Sequence, residues 1–267
     1  MGETVAIMET KNKFVIITQP RSGSYYFNSL LDSAEDIVCH GEIFKKDRVE
    51  ISAWHCKQLG FETNGVAQRD AMPFAFVNRL RGLNPKKIFG FKAFWPHLTP
   101  HKPLINKIIL NPEWKKIFLV RNPLQTYASL QRARKTNKWV AINPPNGDKQ
   151  HQERRVTVRF DPASFEKHLG EYRRLLDKNQ EIITSQADSC FEIGYKAMLT
   201  QDKQGEILAF LGSAASPGQL ASDYQKQYHG ALIDAFENAD ELLAYLGQQG
   251  LMAMATTDKD IFDGAAR

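Results

Sequence analysis

Arg21, Ser22, Gly23 and Ser24 set a fixed cation, two hydroxyls and an unhindered backbone side by side. Where a strand turns into a helix, such a run presents consecutive backbone N–H groups at the positive end of the helix dipole, an arrangement that receives phosphate or sulfate. Gly23 lets the backbone approach the anion, Ser22 and Ser24 add hydroxyl donors, the amides run on to Tyr25, and the Arg21 guanidinium can bridge two anionic oxygens. The same run also reads as a Ser/Gly-rich helix cap with no ligand. It is not a GxxxxGK[ST] triphosphate loop, because Thr18 stands where the first Gly is required and Ser24 where the Lys is required.

A second constellation is Val120-Arg121-Asn122-Pro123 followed by Ser129. Arg121 falls just past an apolar run, at the carboxyl edge where open parallel sheets hold ligands, and Ser129 lies about two helical turns further on. Together they can clamp a further phosphate; separately they are a solvated Arg at a strand end and an incidental helix Ser.

The elements that must position these residues follow from the hydrophobic pattern. Residues 14–18 form a buried strand that enters the polar turn 19–24, and Tyr26, Phe27, Leu30 and Leu31 recur at helical spacing after it, with Ser22 or Ser24 as the cap. Strand character returns at 88–91 and 116–120, and a fourth strand is expected near 190–193. A long amphipathic helix is expected over 161–180, with shorter ones at 203–211 and 237–249. This alternation predicts an α/β domain, a P-loop-like three-layer fold with a central, mainly parallel sheet flanked by helices. One domain is expected over 1–250, with surface loops at 143–155 and 213–230 and a frayed tail over 251–267.

The 267 residues are 42% hydrophobic and 24% charged, an ordinary globular balance. No stretch approaches the roughly 18 apolar residues of a membrane span and the N-terminus lacks a secretory pattern, so a cytoplasmic protein is expected. Cys39, Cys56 and Cys190 are too scattered for a disulfide framework. No metal-binding spacing occurs among the seven His. The net charge of +5 favours anionic ligands, but the basic residues are dispersed and not interleaved with aromatics, which argues for a small polyanion over nucleic acid.

The two anion motifs, in this order, resemble those of the sulfotransferases that use 3′-phosphoadenosine 5′-phosphosulfate. Pro20-Arg21-Ser22-Gly23-Ser24 is similar to their 5′-phosphosulfate loop, and Val120-Arg121-Asn122-Pro123 through Ser129 to their 3′-phosphate motif. Cys39-His40-Gly41-Glu42-Ile43-Phe44 resembles the His-Gly-Glu segment of bacterial enzymes that sulfate trehalose, lipopolysaccharide and nodulation-factor sugars. Tyr195-Lys196-Ala197-Met198 before Phe210-Leu211-Gly212 resembles the superfamily's adenine-contacting segment.

The resemblance implies that the donor is 3′-phosphoadenosine 5′-phosphosulfate with no metal, and that Arg21 and Arg121 meet across one crevice and hold opposite ends of it. It also implies that Glu42 is the general base for a carbohydrate or glycolipid hydroxyl and that Tyr195 meets the adenine; otherwise Glu42 reads as a cap or a structural pair in a loop and Tyr195 as core packing. His40 and His97 compete as base, because His97-Leu98 before Pro100 resembles the His segment of cytosolic sulfotransferases; His97 otherwise reads as a surface or loop His. Lys92 either reaches the nucleotide or snorkels to solvent. Trp139 offers a flat face for a sugar or packs in the core, and Lys226 is a further phosphate candidate. A homodimer is compatible with the sequence. Two readings compete with sulfuryl transfer: a non-catalytic nucleotide- or polyanion-binding protein on the same fold, and a nucleotide kinase, which the missing Walker Lys disfavours.

Overall fold

Phe14, Val15, Ile16 and Ile17 are completely buried, two on each face of their strand, as a central parallel strand covered on both sides requires. In the computed structural model, which describes residues 12–61, 65–140, 156–224 and 231–255, this run is the middle strand of the sheet. The strands are β1 (Asn12–Thr18), β2 (Ile37–Glu42), β3 (Ile88–Phe94), β4 (Trp114–Val120) and β5 (Cys190–Gly194). They lie in the order β2-β3-β1-β4-β5 with every pairing parallel.

The helices in chain order are α1 (Ser24–Asp32), α2 (Ala53–Leu59), α3 (Val66–Ala71), α4 (Pro73–Gly82), α5 (Trp95–Leu98), α6 (Lys102–Leu104), α7 (Pro123–Thr136), α8 (Pro162–Ser185), α9 (Gln201–Leu211) and α10 (Ala239–Gln248). Phe14 and Ile16 face a core shared with Phe27 and Leu31 of α1 and Ile207, Leu208 and Leu211 of α9. Val15 and Ile17 face a second core with Phe76, Val77 and Leu80 of α4 and Leu175 and Ile182 of α8. The three layers expected from the sequence are therefore present. A third cluster joins α7, the start of α8 and α10 around Tyr127, Phe160, Phe165 and Phe236.

Two features differ from the sequence reading. β2 was not expected, because His40, Gly41 and Glu42 interrupt its apolar pattern; its pairing with β3 shifts register between His40 and Glu42. Residues 252–255 are not frayed: Met254 is 1% exposed in the third cluster, and its carbonyl accepts from Asn122 Nδ2 at 3.0 Å. The loop expected at 143–155, Lys226 and residues 256–267 lie outside the described residues. Among the described residues no helix is long and apolar enough to cross a membrane.

Candidate active site

β1 and β4 are neighbours, so the loops that follow them leave the same edge of the sheet side by side. After β1, Arg21 takes a left-handed conformation at φ 70° and Gly23 another at φ 86°. A Cβ on Gly23 would stand 2.3 Å from the Tyr195 ring, so the position needs glycine for both conformation and space. Gly23 is also the cap of α1, which has no side-chain cap. The expected serine cap is absent because the Ser22 hydroxyl turns down to Thr18, 2.7 Å away, while Thr18 donates to Leu119 O at 2.7 Å. No side chain of the turn competes for the first N–H groups of α1, which face the space an anion would take.

After β4, Asn122 caps α7 by accepting from Leu124 N at 2.9 Å, and Pro123 occupies the first turn. The cap fixes where Arg121 starts. Its Nη1 donates to Arg21 O at 3.0 Å, its Nε to Gln125 Oε1 at 2.9 Å, and its guanidinium lies 4.0 Å from the centre of the Tyr195 ring. Arg21 Nε donates to Ser129 Oγ at 3.0 Å, and its Nη1 donates to the Trp139 carbonyl. The two motifs therefore meet, although 100 positions separate their arginines. The Arg21 guanidinium lies against Ser129, in the same corner of the cleft as Arg121, and Arg21 reaches it from a left-handed backbone. Burial, then Arg121 and Arg132, push the Arg21 pKa down to about 10.

Glu42 ends β2, opposite Lys92 of β3 in the sheet register. Lys92 Nζ is 2.9 Å from Glu42 Oε1, and His97 Nε2 is 4.0 Å from Oε2. Lys92 is completely buried, contrary to the snorkelling expectation, and its ammonium sits 3.3 Å from the centre of the Tyr25 ring. His97 is not a surface residue: its one-turn helix α5 holds the side chain at 15% exposure beside Glu42. Burial, only partly offset by Glu42, lowers its pKa.

One cleft of about 1310 Å³ joins these groups; its lining includes Arg21, Gly23, Ser24, Tyr25, Arg121, Ser129, Tyr195, Glu42, His40, His97 and Trp139. Ser22 is not part of that lining. Trp139 is 48% exposed, which places its indole at the cleft and not in the core. Tyr195 is buried, and its ring packs against Gly23 and beneath Arg121.

His40 is 7% exposed, 4.8 Å from the His55 ring, and its pKa is pushed down to about 3 by burial and then by His55. Its folded pKa lies below the unfolded value, so below about pH 6.5 the unfolded chain binds a proton that the folded one refuses. Stability is expected to fall with acidification, by up to about 1.4 kcal/mol per pH unit from His40 alone. His55, His97, His101 and His168 are lowered in the same direction. Denaturant melts between pH 7 and 5 measure the slope, and His40→Gln should flatten it.

No family model matches the chain. The sequence is similar to Nodulation protein H of Rhizobium tropici, 23% identical over 244 residues that cover 86% of this chain and 87% of that protein. The likeness to that protein, a sulfotransferase, runs over most of both chains. Structures with a similar course include a sulfotransferase from Alicyclobacillus acidocaldarius, at 14% identity and TM-score 0.47, covering 93% of this chain and 97% of that one. Another is mouse sulfotransferase SULT7A1 complexed with PAP, at 14% identity and TM-score 0.48, covering 91% and 85%.

The cleft is also lined by residues the sequence reading missed. Gln125, Ser129 and Arg132 fall at four- and three-residue steps on α7, so one helix face carries all three, and that spacing could have revealed Arg132. Glu50, Lys45 and Arg48 come from an irregular segment with no periodic signal.

Proposed function

We propose that the protein transfers a sulfuryl group from 3′-phosphoadenosine 5′-phosphosulfate to a hydroxyl of a carbohydrate or glycolipid, with Glu42 as the general base. The observation that carries this reading is the contact between the two anion motifs: Arg121 donates to the Arg21 carbonyl, and Arg21 donates to Ser129, in one cleft. Arg21, Arg121, Ser129 and Arg132 together suit a phosphate dianion. The N-terminus of α1 suits the phosphosulfate, and Tyr195 borders the adenine end.

The acceptor oxygen attacks sulfur, the bond from sulfur to the 5′-phosphate oxygen breaks, and adenosine 3′,5′-bisphosphate departs with that electron pair. The acceptor proton passes to Glu42 Oε2, because Oε1 is held by Lys92. The helix N-terminus and the neighbouring cations stabilise charge on the departing phosphate. The carbohydrate class is supported by the Cys39–Phe44 resemblance and by a polar wall in which Asn28, Asp32, Ser52 and His55 offer donors and acceptors suited to hydroxyls.

Calorimetry with adenosine 3′,5′-bisphosphate and with magnesium ATP tests the donor assignment, and labelled donor with a panel of sugars tests the transfer. The bisphosphate is expected to bind at least about tenfold more tightly than ATP, since the arginine corner matches a separate 3′-phosphate. Preference for ATP would reverse the assignment. Tight bisphosphate binding without transfer to any sugar would favour the non-catalytic reading.

A further inference from the structure

Glu50 lies in the irregular segment between β2 and α2, with its side chain 14% exposed. Its carboxylate receives a concentration of donors. Tyr25 OH donates to Oε1 and Oε2 at 3.0 and 3.2 Å, and the Glu42 backbone N–H donates to Oε2 at 3.1 Å. Lys45 Nζ donates to Oε1 at 3.2 Å, and Arg48 donates to the same oxygen from Nη2 at 3.0 Å and Nε at 3.3 Å. Burial alone would raise the Glu50 pKa, but the Glu42 amide, Arg48, Lys92 and Lys45 outweigh it and hold the group at about 2, ionised across the working pH range.

Two of these donors belong to the reacting part of the cleft. The Glu42 amide ties the carboxylate to the backbone that carries the proposed base, next to the register shift in β2. The Tyr25 hydroxyl fixes a ring that lies 3.3 Å from the Lys92 ammonium, and Lys92 in turn holds Glu42 Oε1. Gly41 makes the approach feasible: a Cβ there would stand 2.9 Å from Glu50 Oε2 and 3.0 Å from Glu50 Cβ. A flexible oxygen could normally step aside, but this one is held by donors from several directions.

We propose that Glu50 is a positioning residue that sets the placement of Glu42 for proton transfer, through the Glu42 amide on one side and through Tyr25 and Lys92 on the other. This rests on Glu42 being the base, and it assigns to the Gly in the His40-Gly41-Glu42 run the task of admitting the Glu50 carboxylate. Displacing a reacting group by about 1 Å costs on the order of a hundredfold in rate, so loss of the clamp should register in turnover far more than in donor binding.

The test compares Glu50→Gln, Glu50→Asp and Gly41→Ala with the parent. Hydrogen exchange at the Glu42 amide and calorimetric affinity for adenosine 3′,5′-bisphosphate need no acceptor, and kcat is then measured with any sugar the panel supplies. Glu50→Gln and Gly41→Ala are expected to speed exchange at Glu42 by about tenfold or more, to change bisphosphate affinity by less than about threefold, and to lower kcat by tenfold to a hundredfold. Glu50→Asp, which keeps the charge, should recover part of the loss. If Glu50→Gln does not fold, Gly41→Ala alone decides, since it leaves the carboxylate chemistry intact and only displaces it. Unchanged exchange at Glu42 would overturn the proposal, as would a loss of bisphosphate affinity equal to the loss of kcat. Faster exchange with normal kcat would show that the clamp exists but does not govern proton transfer, which also overturns it. Failure of Glu42 itself as base appears separately, as full activity in a Glu42 variant.

Discussion

Glu42→Gln is expected to lower transfer by about a hundredfold to ten-thousandfold while changing adenosine 3′,5′-bisphosphate affinity by less than about threefold. The amide keeps the shape of the carboxylate and can still accept from Lys92, but it cannot take the acceptor proton. Donor binding is spared because the groups assigned to the nucleotide, the N-terminus of α1 and the arginines of the loops after β1 and β4, do not include the Glu42 side chain. The substitution also leaves the buried Lys92 ammonium without its directly paired carboxylate. Breaking a buried pair from one side costs about 3–5 kcal/mol when the remaining charge has no other support. Glu50, which also acts on Lys92, reduces that cost. A lower melting temperature is therefore expected alongside the loss of activity, and the double variant Glu42→Gln/Lys92→Met separates the two effects. It should regain stability by removing the stranded charge, and it should remain inactive. Undiminished transfer in Glu42→Gln would remove Glu42 as the base and direct attention to His97, 4.0 Å from it, whose lowered pKa keeps its ring neutral and able to accept a proton at pH 7.

The sequence disclosed the parts of this cleft that local patterning encodes. β1 is legible because a strand buried on both faces must be continuously apolar, and the turn after it is legible because Arg, Ser and Gly each have a distinct use there. β2 was hidden by the residues that give it interest: His40, Gly41 and Glu42 border the cleft and are polar or small, so the apolar strand signal is interrupted there. The short helices α2, α3 and α4 run seven, six and ten residues, too few turns for helical periodicity to stand out between Gly60, Gly65 and Pro73. The complete burial of Lys92 was not legible for a different reason. A lysine inside an apolar run reads as snorkelling until a partner is known, and its partner is reached only through the pairing of β2 with β3. Glu50 gave no signal, because a carboxylate in an irregular segment resembles any solvated acid until the fold brings its donors around it.

Arg121→Ala carries the other large expected effect, a loss of bisphosphate affinity of about a hundredfold to a thousandfold. In the proposed reading Arg121 offers the donor's phosphate a charged hydrogen-bonding fork, and a charge-assisted contact of this kind contributes about 1.5–3 kcal/mol. It also donates to the carbonyl of Arg21, a residue held at φ 70°, a backbone state that costs about 1–3 kcal/mol and persists only where neighbours enforce it. Removing Arg121 releases that restraint, so the loop after β1 and the Arg21 contact to Ser129 relax together, and one substitution weakens both motifs. Arg121→Lys should recover little, because an ammonium keeps the charge but neither spans two oxygens nor lies flat over the Tyr195 ring. The unliganded protein should respond in the opposite sense. Arg121 is one of the charges that hold the Arg21 pKa down, so its removal eases repulsion within the corner. The melting temperature without ligand should therefore fall little or rise, while the increase produced by saturating bisphosphate should shrink. Parallel calorimetry and melting curves with and without the bisphosphate measure both effects. An Arg121→Ala protein that binds the bisphosphate like the parent would mean that the donor is not held between β1 and β4.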